Sequence, residues 1–148
     1  MELGIGMFGD NHYDAKGEPL PAGNRLRELI EEMKLMDEVG IDFFGIGEHH
    51  RPDYAVSVPE IILAAAATVT KNLKLGSAVS VLSSSDPVRI YQSFATIDQI
   101  SNGRAEIVAG LVRRDGPDGD GGDVIGIATS LAPPVARQLD GRRGDAPA

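Results

Sequence analysis

Short apolar runs alternate along this chain with longer segments in which apolar residues recur every three or four positions. Leu3 to Phe8 is the first run, and it predicts a buried strand. A polar loop follows from Gly9 to Gly23, with Pro19 and Pro21 near its end, longer than most strand-to-helix connections. Asn24 is placed to cap a helix reaching Val39, in which Leu26, Leu29, Ile30, Met33, Met36 and Val39 form one apolar face. Arg25, Arg27, Glu28, Glu31, Glu32 and Lys34 cover its other side, and Gly40 suits a left-handed stop. Ile41 to Ile46 is the second strand. Pro59 fits the first turn of a second helix that starts near Ser57 and carries the apolar stretch Ile61–Val69. Leu73 to Leu82 reads as one third strand. Pro87 opens a third helix whose inward face is Val88, Tyr91, Phe94, Ala95, Ile97 and Ile100, turned by Asn102-Gly103. Ala105 to Gly110 is a fourth strand.

Strand and helix therefore alternate three times before a last strand, the pattern of an α/β parallel sheet with right-handed crossovers. An open doubly wound sheet and a (β/α)8 TIM-type barrel both fit. A complete barrel takes about 250 residues, so residues 1–110 correspond to about half of one. Such an incomplete barrel is expected to leave two bare sheet edges and one uncovered face.

The text changes at Leu111. From there to Ala148 every basic residue is Arg, every acidic residue is Asp, and no aromatic occurs. Gly and Pro crowd residues 116–123, and only Val124–Leu131 could pair as a strand or form a short helix. The chain thus divides into a barrel-like unit, 1–110, and a C-terminal tail, 111–148, expected to be mostly disordered. A reading-frame shift just after Gly110 would explain the switch, and the gene sequence tests it: no α/β pattern in any shifted frame downstream would refute it.

Composition narrows the classes. Hydrophobic residues make up 42% and charged residues 24%, ordinary for a soluble globular chain. The net charge of −8 argues against nucleic acid or an anionic membrane as partner. There is no cysteine, so a metal site would need His and carboxylates. No apolar run approaches the roughly 20 residues of a membrane span, and Met1-Glu-Leu-Gly-Ile-Gly6 lacks the basic start of a secretory signal. The expectation is a cytoplasmic protein.

Candidate chemistry concentrates in Ile41–Arg51, where an apolar strand ends directly in Glu48-His49-His50. In parallel α/β proteins the carboxyl ends of strands are where active sites collect. A His-His-Glu metal site is a poor fit, because adjacent residues on one turn rarely converge on one ion. Gly76, Ser77 and Ala78 in the third strand leave room for a flat group against the backbone, or for tight helix packing. His12 and Tyr13 sit in the first loop, where a solvated position competes with a ligand-facing one. Neither a Gly-x-Gly-x-x-Gly dinucleotide fingerprint nor a Gly-x-Ser-x-Gly hydrolase elbow is present.

Gly47-Glu-His-His50, Leu75-Gly-Ser-Ala-Val79, Asp86-Pro-Val-Arg89 and Ala95-Thr-Ile-Asp-Gln-Ile-Ser-Asn-Gly-Arg104 occur in an order and spacing that resembles the N-terminal half of the bacterial luciferase-like flavin monooxygenases. The resemblance covers about residues 1–110. It implies a (β/α)8 barrel that binds reduced FMN, or a deazaflavin in some branches, at the carboxyl ends of the strands. It implies dioxygen and a small organic molecule as co-substrates, and a dimer for full-length relatives. Carried over, His49 is the catalytic histidine, a proton donor or acceptor beside the flavin, in keeping with an imidazole that titrates near neutrality. Glu48 lies near the flavin, and Ala78-Val79 falls where the family often has a non-proline cis peptide beside it. His50 reads as a supporting or surface residue, Arg89 as a packing or ion-pairing residue, and Gly103-Arg104 as a helix end. The chain departs from the family after the fourth strand: Gly110-Leu111-Val112 stands where the family has Gly-Arg-Gly and a phosphate-binding arginine. The alternative reading is thus an inactive fragment that binds no ligand tightly.

Overall fold

The structure, a computed structural model, describes residues 1–112 and 124–130. Strands β1 (Gly4–Met7), β2 (Phe43–Ile46), β3 (Lys74–Ser77) and β5 (Ala105–Val112) pair side by side and in parallel, in that order. Helices α1 (Ala22–Val39), α2 (Pro59–Ala67) and α3 (Pro87–Ser101) make the crossovers. This is the parallel sheet of an incomplete (β/α)8 barrel.

The register separates two faces. Ile5, Phe44, Leu75 and Ala105 lie in one row, and they belong to the core that the helices cover with Leu29, Met33, Leu63, Phe94 and Ile97. The next row over, on the opposite face, is Gly6, Gly45, Gly76 and Glu106. Nothing lies within 4 Å of where a Gly6 Cβ would point, whereas the Phe43 ring lies across Gly45 and Gly76. A Cβ on Gly45 would sit 2.8 Å from the Cβ of Ala78, which is fixed to its backbone. Gly45→Ala is therefore expected to cost about 1–3 kcal/mol by overpacking, measurable as a lower urea midpoint. Gly76→Ala meets the far edge of the Phe43 ring at 2.7 Å, which can swing away, and should cost less.

Several boundaries differ from the sequence reading. Helix α1 begins at Ala22, with Pro21 as its N-cap and no side-chain cap, so Asn24 lies inside the first turn. There its carboxamide accepts from Arg27 at 2.6 Å. The helix ends as expected, at Gly40 with φ 83°. The expected single strand Leu73–Leu82 is broken. Its path continues as β4 (Ser80–Val81), which pairs with Ala109 and Gly110 of β5. The Ala78–Val79 peptide between the two pieces is cis. The Ser77 hydroxyl bridges the break, donating to the Val108 carbonyl (3.1 Å) and accepting from its N–H (3.2 Å).

Of the tail, residues 124–130 form β6 (Val124–Ser130), antiparallel to β5 from Glu106↔Ser130 to Val112↔Val124. This is the stretch the sequence left able to pair as a strand, and it occupies one of the two edges expected to be bare. Residues 113–123 and 131–148 of the tail lie outside the described residues.

Asp86 caps α3, accepting from the N–H groups of Val88 (2.7 Å) and Arg89 (3.4 Å). Asn102, with φ 58°, and Gly103, with φ 86°, turn the chain out of it. Arg104 does more than end the helix. Its guanidinium donates to the carbonyls of Ala67, Thr70, Leu73 and Ser101 and to the Thr70 hydroxyl, at 2.6–3.1 Å. It thereby ties the end of α3 to the end of α2. The Asp37 carboxylate accepts from three successive N–H groups, Lys71, Asn72 and Leu73, at 2.6–2.8 Å, holding the same loop from the α1 side. Burial would raise the Asp37 pKa, but these three bonds and Arg104 outweigh it and the net direction is down. Among the described residues no helix is long and apolar enough to cross a membrane.

Candidate functional site at the carboxyl ends of the strands

The loops leaving β1 and β2 are zipped together. Ala55 N–H donates to the Gly9 carbonyl and Asn11 N–H to that of Asp53, both at 2.8 Å, and Asp10 bridges to Tyr54. His49 N–H donates to the Val56 carbonyl at 3.0 Å. The β2 tip is thus held as a fixed turn from which Glu48 and His49 diverge.

Glu48 points inward, its side chain 4% exposed. One carboxylate oxygen accepts from Val81 N–H at 2.8 Å. The other lies 2.7 Å from the Ser84 hydroxyl and 2.8 Å from Nε2 of His50. His50 itself is on the surface, as its sequence reading allowed, with a side chain 58% exposed. Burial at the start of α2 pushes the Glu60 carboxyl up, and repulsion from Glu48 adds a smaller push.

His49 is packed rather than bonded. Its ring stacks on Tyr54 with centroids 4.1 Å apart and meets the edge of Phe8 at 5.0 Å. Its Nε2 is buried and has no hydrogen-bond partner among the described residues. The point where a Gly47 Cβ would sit is 3.2 Å from this Nε2 and 3.4 Å from the Ala78 carbonyl oxygen, so the two atoms border one small space. Ala78 is tied in turn to β2 through its N–H to the Ile46 carbonyl, 2.7 Å. The neighbours Glu48 and His49 therefore meet the Ala78–Val79 peptide, 29 to 31 positions downstream, at one strand tip.

Burial lowers the His49 pKa from its ordinary value. Asp10 and Asp53 oppose the shift, while Arg51 and His50 reinforce it. The imidazole is consequently neutral at pH 7. Its folded pKa lies below its unfolded one, so the unfolded chain takes the proton first. Stability from this group is fully present above about pH 6.5 and is lost as pH falls toward the lowered folded value. Urea unfolding between about pH 8 and pH 5 should show this slope, and His49→Gln should flatten it.

Other candidates lie elsewhere. His12 is exposed and 3.4 Å from Glu28, and Tyr13 is exposed in the first loop. Arg89 is exposed and donates to Gln92 at 3.3 Å, a side-chain hydrogen bond within α3 rather than a site contact. A shallow hollow lined by Thr70, Asn72, Asn102 and Arg104 lies at the amino ends of the strands, away from His49. Among the described residues no group of three or more His, Cys, Asp or Glu is arranged to hold a metal ion. Phe8, Tyr54 and Ser84 escaped the sequence reading. Phe8 sits at the end of β1 just as His49 sits beyond the end of β2, a placement that could have drawn attention to it.

The parallel strands thus carry at their carboxyl ends an imidazole whose buried Nε2 has no hydrogen-bond partner among the described residues. The chain matches the family described as luciferase-like monooxygenase over residues 1–117 and belongs to that family. It is 29% identical over 110 residues to the uncharacterized protein y4wF of Sinorhizobium fredii, covering 74% of this chain and 31% of that one. It is 34% identical over 86 residues to limonene 1,2-monooxygenase of Rhodococcus erythropolis, covering 57% and 22%. Among solved structures, the oxygenating constituent of 3,6-diketocamphane monooxygenase from Pseudomonas putida, in complex with FMN, superposes with a TM-score of 0.65 at 28% identity, covering 76% of this chain and 30% of that one. The chain thus spans 22–31% of the length of these relatives.

Proposed function

We propose that this chain forms the histidine-bearing wall of a flavin site in a flavin-dependent monooxygenase. The observation that carries the reading is the buried Nε2 of His49, a polar atom without a hydrogen-bond partner among the described residues, near the Ala78 carbonyl at the carboxyl ends of the strands. A buried polar nitrogen without a partner is costly unless something else supplies one. A flat heteroaromatic ring with polar edges fits: it could offer a partner to Nε2 while resting against Ala78 and Val79. FMN is the cofactor favoured, because a relative at 28% identity holds it; a deazaflavin is the alternative. When bound, the reduced flavin supplies the electrons that activate dioxygen toward a small organic substrate.

The protein's own part is narrower. Phe8 and Tyr54 fix the plane of the His49 ring and keep water from it. The neutral imidazole takes or returns a proton at Nε2, and its lowered pKa leaves it ready to accept one at neutral pH. The test is titration of FMN with the protein, followed by flavin fluorescence. Quenching in the micromolar range that is lost in His49→Ala is the expected result. Absence of any quenching by the wild-type chain would leave the inactive-fragment reading standing.

A further inference from the structure

The sequence resemblance puts Glu48 near the flavin, yet its carboxylate has little left to offer a ligand. Both oxygens are engaged by the protein: Val81 N–H on one, Ser84 and His50 on the other. Its side chain is almost wholly buried. The segment that it grips is the one whose Ala78 carbonyl borders the same space as His49 Nε2. That segment is pinned at both ends to the tip of β2, through Ala78 N–H on the Ile46 carbonyl and Val81 N–H on Glu48. We propose that Glu48 is a positioning residue, which shapes the flavin-facing wall by holding the Ala78–Val81 backbone and the Ser84 hydroxyl and does not itself touch the flavin. The flavin part of this inference rests on the function proposed above; the backbone part does not.

The charged groups around Glu48 agree with such a role. His50 offers its ring nitrogen from the solvent side. Glu60 of α2 faces it with like charge and has its own pKa raised, mainly by burial. A carboxylate kept beside another carboxyl group needs donors; the Val81 N–H and the Ser84 hydroxyl supply them, with the His50 Nε2 at 2.8 Å. A charge-assisted hydrogen bond of this kind is among the stronger ones.

Two readouts test the inference. The first is hydrogen exchange of the Val81 amide in the flavin-free chain. The second is FMN affinity. Glu48→Ala should speed Val81 exchange by about tenfold or more, as loss of one charge-assisted bond allows, and should weaken FMN binding in parallel. Glu48→Gln keeps one oxygen to accept from Val81 and should restore most of both. Ser84→Ala, at an exposed position that does not threaten the fold, should move both readouts in the same direction by a few-fold. If FMN affinity drops in Glu48→Ala while Val81 exchange stays at the wild-type rate, Glu48 contacts the flavin directly and the inference is overturned. If Glu48→Ala does not fold, Ser84→Ala decides: Val81 exchange at the wild-type rate in that variant also overturns it. If the wild-type chain binds no FMN, the proposed function fails, and Val81 exchange still decides whether Glu48 holds the segment.

Discussion

His49→Ala is expected to lower turnover with reduced flavin and dioxygen by about two to four orders of magnitude, the usual contribution of a positioned proton-transfer group. The deletion leaves Tyr54 and Phe8 without the ring they clasp, so some loss of order at the strand tip accompanies it. His49→Gln separates the two effects. Glutamine fills much of the same space and retains polar atoms but does not titrate, so it should keep FMN affinity near that of the wild type while turnover stays low. Steady-state kinetics with parallel FMN titrations check this. Turnover within a few-fold of wild type in both variants would remove His49 from the chemistry.

The second large effect concerns stability. Arg104→Ala should destabilise the chain by about 2–3 kcal/mol, with a fall in Tm of roughly 10 °C. The guanidinium serves four carbonyls and one hydroxyl at the junction of α2, β3 and α3. Removing it strands those acceptors in a half-buried place and leaves Asp37 without its nearby cation. Water reaches part of the junction, which keeps the cost below that of a fully buried pair. Arg104→Lys should recover little, because three donors on one nitrogen cannot replace a planar fork that spans five acceptors. Thermal unfolding followed by circular dichroism measures both, and a shift of only a degree or two in Arg104→Ala would contradict the clamp.

The helices were legible in extent, but their predicted faces only in part: Val39 of α1 and Val88, Tyr91 and Ile100 of α3, read as inward, are exposed, whereas Arg25, read as outward, and Ile90 are buried. Leu29 and Met33 of α1, and Ile90, Phe94 and Ile97 of α3, are buried. The start of α1 was misread because Asn24 is a good cap by residue type, while Pro21 begins the helix without one. Local pattern could not show the break between β3 and β4, since Leu75–Leu82 is apolar or small throughout, and what marks the break is the bonding of Ala78 to Ile46 and of Val81 to Glu48. The roles at the site divide in the same way. The Glu-His-His tip was visible as chemistry without a structural need. What Glu48 holds was not, because its partners Val81 and Ser84 lie 33 and 36 residues downstream. Arg104 likewise reaches 31 to 37 residues back for most of its acceptors. In the tail, Val124–Ser130, within the one stretch whose apolar run allowed a strand, pairs along β5 between flanks rich in glycine and proline.

The claim on which the rest depends is that flavin meets the chain at His49 and the Ala78–Val79 peptide. Backbone amide shifts of the isotope-labelled chain, recorded as FMN is added, test it most directly. Saturable shifts concentrated at Gly47, His49, Ala78 and Val79, with the Arg104 junction unmoved, are the predicted result. Shifts gathered at Thr70–Asn72 and Arg104, or no saturable shift at all, would contradict it.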